Sequence, residues 1–436
     1  MTVQSSERYL REMLSDKISG SHMGLWLLVP EYLRLGGWDL VRGLFREGGD
    51  TPARLAMQMV SESALCVNRV RKKDSLCHQG FSLVNGLSFL ATDESVHRIL
   101  DGKSVSDYGD FQSALMKIRM LDGHYGDGEK ILAIDPHRIG SSTKRTMVQK
   151  KKRPDLPSAK TMQTFFCNDT DTGQPLAFTL SASGKTCSQA TLQLLDMVGG
   201  VLGQQNALVL ADKEHFTMEI MDYFDDSHAM DILMPAPGIK GINERITALD
   251  YRELWPGYSI AETEFSFHNS VRNLRLIAQK ESAAGKQHVY KSFLTTSDKD
   301  ADELLSKVYP KRWTIEEFFN FEGDMGWNRA STFNLNVRYG RQSLALLAQA
   351  AAFRLRKNLP EPYSRWTAAM LSEKVFTNME GDIRVKDDSI IITYYKDHEV
   401  LGLREKYHNI SQQLENENIS PKIPWLYDYK LEFRFK

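Results

Sequence analysis

Asp135 and Asp212 are carboxylates whose settings in this sequence suit them to hold a divalent metal ion, and Glu316 is a third acid whose surroundings leave its role open. Asp135 closes the apolar run Ile131-Leu-Ala-Ile134, and Asp212 closes Ala207-Leu-Val-Leu-Ala211; both runs have the length and composition of buried strands. A carboxylate at the end of such a strand stands at the rim of a sheet, where open α/β sheets bind their ligands. Mg²⁺ takes oxygen ligands and keeps several waters, so carboxylates from three separated segments can build a two-ion site of the kind that cleaves phosphodiesters. An aspartate at a strand end also serves as a turn or capping residue, and the pair alone does not separate these roles.

Glu316 lies in Val308-Tyr309-Pro-Lys-Arg312-Trp313-Thr-Ile315-Glu316-Glu317-Phe318. Thr314-x-x-Glu317 reads as a capping box, which makes Glu317 structural. Ile315, Phe318 and Phe319 form an apolar helix face, so Glu316 falls off that face and can point at a site, or serve as a first-turn acid that the helix dipole favours. A dense basic run, Arg138, Lys144, Arg145, Lys150, Lys151, Lys152, Arg153 and Lys160, follows Asp135 and is opposed only by Asp155. Such a run is a solvated loop or a track for nucleic-acid phosphates. The net charge of −1 gives a nucleic-acid enzyme no global help, so binding has to come from local patches. Trp255, in Leu254-Trp-Pro-Gly257, either packs its own segment or stacks an extruded base. His137 and His215 are near the two aspartates and support them at most. The four cysteines are scattered, with neither zinc nor redox spacing.

The elements that must position these groups are readable in outline. Residues 1–125 are expected to be helical; Phe81 to Leu90 and the stretch capped by Thr92 read as a helix-turn-helix, which would make this a DNA-binding region, or as part of a plain bundle. Strand grammar begins at Lys130, with a hairpin from Met162 to Leu180, a helix from Gln189 to Leu202 and the strand before Asp212. That makes an α/β core in two parts, 126–239 and 301–358, interrupted by a β-rich insertion at 240–300. Gln342 to Arg356 reads as a buried helix. A C-terminal region, 359–436, carries a hairpin across Lys386-Asp-Asp388, ends polar and is a candidate for dimerisation. No stretch is long and apolar enough to span a membrane and no signal-peptide pattern is present, so a cytoplasmic protein is expected.

Tyr309, Arg312 and Glu316, spaced Tyr-x-x-Arg-x-x-x-Glu, together with the order of the two aspartates and the insertion, resemble the DDE transposases of bacterial insertion sequences. The resemblance covers about residues 130–356. It implies an RNase H-like mixed-sheet core, with Asp135 shared by two Mg²⁺ ions (Mn²⁺ able to substitute) and Asp212 and Glu316 holding one each. It further implies Tyr309 and Arg312 on phosphates beside the cut, binding of terminal inverted repeats in double-stranded DNA, strand cleavage and transfer, and a homodimer assembled on DNA. The family's signature ends in a lysine where this chain has Gly323. The rival expectations are a nuclease that cuts without joining and a domesticated, inactive DNA-binding derivative.

Overall fold

The computed structural model describes residues 3–67, 76, 79–141, 149–150, 159–181, 185–224, 229–268, 270, 273–282, 288–328, 332–395 and 401–436. The chain forms two compact units, one of residues 123–319 and one that joins 1–122 to 320–436. It is a mixed α/β protein with two mixed sheets.

The 123–319 unit carries β1 (Lys130–Gly140), β2 (Ala159–Asp169), β3 (Pro175–Ser181), α1 (Cys187–Leu202), β4 (Ala207–Leu210) and β5 (Met230–Pro235). The strands run in the order β3-β2-β1-β4-β5. β2 is antiparallel to β1 and β3, while β4 is parallel to β1 and β5 to β4. This is the topology of an RNase H-like core. The crossover helix α1 starts at Thr186, whose hydroxyl accepts from Gln189 N–H while the Gln189 side chain caps in return. Ala190, Leu194, Leu195 and Val198 supply its buried face.

The segment read as an insertion adds β6 (Arg252–Trp255), β7 (Tyr258–Phe265), β8 (Leu274–Glu281) and β9 (Val289–Thr295). β9 pairs antiparallel with β5, so these strands extend the core sheet in the order β5-β9-β8-β7-β6 rather than forming a sheet of their own. A hydrophobic cluster spans the join: Leu208, Leu210 and Leu233 from the core strands pack with Ile260, Ile277 and Phe293, beneath Leu304 and Val308. Burial of this kind is worth roughly 25 cal/mol per Å² of apolar surface.

The other unit is built around the 23-residue helix Leu335–Lys357, nearly all of whose central turns are buried. Gly340 is needed there, because a Cβ would stand 2.6 Å from the hydroxyl of Tyr108. Helices Gln79–Val84 and Asp93–Asp101 do form, the latter capped by Thr92, but residues 85–92 between them are longer than the tight turn of a helix-turn-helix. The expected hairpin is present as Gly381–Lys386 and Ser389–Tyr394. The tail does not end as a polar segment: Tyr429–Phe435 pairs in parallel with Ser389–Tyr394, and its alternation buries Leu431 and Phe433. Among the described residues, no helix is long and apolar enough to cross a membrane.

Candidate active site

β1 does not stop at Asp135 as the apolar run suggests. It continues to Gly140, because β2 pairs with it all the way from Leu132↔Asp169 to Gly140↔Thr161. On its other edge, however, pairing with β4 ends at Ala133↔Leu210. Asp135 therefore sits within a strand by one edge and at the sheet rim by the other. Continuing the parallel register by two residues sets Asp135 opposite Asp212, whose backbone stays extended at φ −85° and ψ 163°. Partners in parallel register point to the same face, from strands about 4.8 Å apart. Asp212 also caps the short helical turn Lys213–His215, its Oδ1 accepting from Lys213 N–H at 2.6 Å.

The third segment is a continuous helical run. After Ala301–Glu303 come a wide turn at Leu304–Val308, a tight 3-10 turn at Tyr309–Trp313 and then α2, Thr314–Glu322. In a 3-10 turn, side chains three apart eclipse, and in an α-helix those four apart share a face. The spacing of Tyr309, Arg312 and Glu316 thus lines all three along one side of the run. Thr314 is not a cap: its backbone is helical, and its hydroxyl donates to Lys311 C=O at 2.9 Å. The capping box expected with Glu317 is replaced by helix on both sides of Thr314, and Glu317 is exposed.

Arg312, with 13% of its side chain exposed, joins the segments. One guanidinium nitrogen, Nη2, donates to Glu316 Oε1 at 2.9 Å, and Nη1 lies 3.8 Å from Asp135 Oδ1. Burial pushes the Asp135 carboxyl up to about 7, against the lowering effect of Arg312 and with further upward pressure from Asp212 and Glu316. Both other carboxylates are therefore within electrostatic reach of Asp135. Tyr309 packs edge-on against Phe293, with ring centroids 4.9 Å apart, and its hydroxyl points to Ala211 C=O at 3.5 Å, next to Asp212. Burial raises this phenol to about 12, so it stays protonated. His215 is fully buried and held neutral, its pKa pushed down to about 4 by burial; its Nδ1 lies 3.2 Å from Asp212 C=O. His137 packs against Phe319 at 4.6 Å.

The donor set fits hard divalent ions in chemistry: three carboxylates, one of them held back from ionising chiefly by burial. It is not closed into a cage. Among the described residues, no three His, Cys, Asp or Glu side chains already stand close enough to share one ion. The guanidinium of Arg312 supplies positive charge to Asp135 and Glu316 instead.

The transposase DDE domain family matches residues 126–349, a span that contains all of these groups. The chain belongs to this family. A cryo-EM structure of the piggyBac transposase synaptic complex with hairpin DNA is similar to it at 11% identity and a TM-score of 0.43, over 83% of this chain and 82% of that one. No curated protein matches the chain.

Trp255 is 46% exposed and lies flat on Tyr258, with ring centroids 4.1 Å apart and planes 3° from parallel. It is neither buried packing nor a lone ring. In the basic run, Arg138 is taken up by Glu214 and by Gln163, the latter at 3.2 Å. Glu214 carries no sequence signal of its own and is recognisable only through this pairing. Lys144, Arg145, Lys151, Lys152 and Arg153 lie outside the described residues, and Lys150 is described only as backbone of a short strand paired with the start of β2. At Gly323 a Cβ would meet the side-chain amide of Asn328 at 2.5 Å, so the space beside that position is filled by Asn328.

Proposed function

We propose that this protein is an active DNA transposase that uses Mg²⁺, or Mn²⁺ in its place, held by Asp135, Asp212 and Glu316, to cut and join DNA at the ends of its element. The observation that carries the reading is the convergence of three chain segments around Asp135: Arg312 pairs with both Asp135 and Glu316, and Asp212, from the neighbouring strand, acts on the same Asp135 carboxyl. When bound, two divalent ions activate the attacking oxygen and stabilise the leaving one. The protein's own part is to hold and orient. Asp135 and Asp212 are fixed by neighbouring strands, and Glu316 by the turn of helix that follows Arg312.

Arg312 and Tyr309 are the groups for the phosphates next to the cut. A guanidinium suits this because its planar fork can leave carboxylates for phosphate oxygens without changing charge. Tyr309 is protonated, and its single O–H, which here donates weakly to Ala211 C=O at 3.5 Å, turns to a phosphate oxygen when DNA is bound. Residues 144–153 track the DNA backbone, and Trp255 with Tyr258 offers a stacked aromatic surface for a base. Two element ends require two active sites, which favours a homodimer assembled on DNA.

The experiment is a cleavage and joining assay on labelled duplex that carries the inverted repeats flanking the coding sequence, with Mg²⁺ as the only divalent ion. The proposal expects 3′-hydroxyl ends and strand-transfer products. Cleavage without joining would make the protein a nuclease, and binding without cleavage an inactive derivative.

A further inference from the structure

Arg338 stands in the first turn of the helix Leu335–Lys357, a turn that contains no acidic residue. A cation there opposes the helix dipole, which places partial positive charge at the same end. The residue is also only 7% exposed, and among the described residues its buried Nε and Nη2 find no hydrogen-bond partner. Burial pushes its pKa down to about 10, and no carboxylate offsets the shift. An unpaired buried charge costs several kcal/mol, so it calls for an explanation, and a bound counter-ion is the one that matches a guanidinium.

The surroundings favour an anion. Long side chains on a helix lean toward its N-terminus, and the backbone N–H groups of the turn that carries Arg338 are only partly capped, by Asn334 Oδ1 on Val337 N–H at 3.2 Å. Arg341, one turn on and on the same face, has its Nη2 on His97 Nε2 at 3.1 Å and 3.7 Å from Asp93, while its buried Nε has no hydrogen-bond partner among the described residues. The nearby acid, Asp101, is engaged with Asn334 Nδ2 at 2.5 Å.

We infer that Arg338 and the N-terminus of this helix form a phosphate-binding site that takes a DNA backbone phosphate. Its DNA assignment rests on the transposase reading above; its anion affinity does not. Guanidinium plus helix N-terminus is a strong combination for a tetrahedral oxyanion.

The test uses the full chain and its Arg338→Gln and Arg338→Met variants. Inorganic phosphate at constant ionic strength should raise the melting temperature of the wild type and leave both variants unmoved. Without phosphate, both variants should melt higher than the wild type, because the uncompensated charge is gone; a merely structural arginine would give the reverse. In binding to a 30-base-pair duplex across a salt series, Arg338→Gln should lower the slope of log K against log salt by about one. A wild type indifferent to phosphate, or variants that still respond to it, would overturn the site. A phosphate response with an unchanged DNA slope would overturn the DNA assignment, including the case where removal of Arg338 weakens self-association instead. A wild type that binds no DNA would count against the proposed function and the DNA assignment alike, with the phosphate arm still deciding whether the anion site exists.

Discussion

At the scale of single residues, Glu316 and its neighbour Glu317 provide a matched pair. Glu316→Gln keeps the size of the side chain and one acceptor oxygen but loses the charge needed to hold a cation. Cleavage should fall by at least ~10³-fold, the scale on which loss of a catalytic group is felt, with DNA affinity within about twofold of the wild type. Glu317→Gln should cut normally, since Glu317 is exposed and caps nothing. The reverse pattern in a nicking assay with a parallel gel shift would put the motif out of register by one residue. Asp135 gives a prediction in pH. Its folded pKa is raised from 3.8 to about 7, so between those values the native state binds the proton more tightly than the unfolded chain, and the metal-free protein loses stability as pH rises through that window. Asp135→Asn should therefore raise the melting temperature at pH 8 by several degrees and do little near pH 4. Equal effects at both pH values would show that the carboxyl ionises normally.

At the scale of elements, the 3-10 turn leading into α2 has to present one guanidinium to two carboxylates. Arg312→Lys keeps the charge but loses the fork, and should lower cleavage by about 10- to 100-fold while circular dichroism stays unchanged. A lysine variant with wild-type rates would mean that charge alone suffices. Much of this arrangement is legible in the sequence, because apolar runs that end in Asp135 and Asp212 report buried strands, and Tyr-x-x-Arg-x-x-x-Glu reports a face. What was not legible has physical causes. Pairing with β2 carries β1 past Asp135, and hydrophobicity does not encode an antiparallel partner that far along the chain. Thr314 looks like a helix start because its side chain can cap, yet the wide turn at Leu304–Val308 and the 3-10 turn after it keep the chain helical through that point. The closing strand reads as a polar tail by composition, yet Tyr429, Leu431, Phe433 and Phe435 alternate with charged residues, the pattern of a strand with one face on the core and one toward solvent. Gly323 stands where the family's signature has a lysine, and in the folded chain the space beside it is occupied by Asn328.

At the scale of the whole molecule, a net charge of −1 places DNA binding on local patches. Alanine at Lys150, Lys151, Lys152 and Arg153 should weaken binding to unrelated duplexes alike and flatten the salt dependence, because phosphate contacts release counterions without reading bases. An unchanged salt slope would make the run a solvated loop. The central claim, that three carboxylates from three segments hold the catalytic ions, is tested most directly by anomalous diffraction from crystals of the protein soaked in Mn²⁺. The account predicts manganese peaks within coordinating distance of Asp135, Asp212 and Glu316, with Arg312 turned away from the two carboxylates it pairs with here. Manganese bound elsewhere, with Arg312 still bridging Asp135 and Glu316, would contradict it.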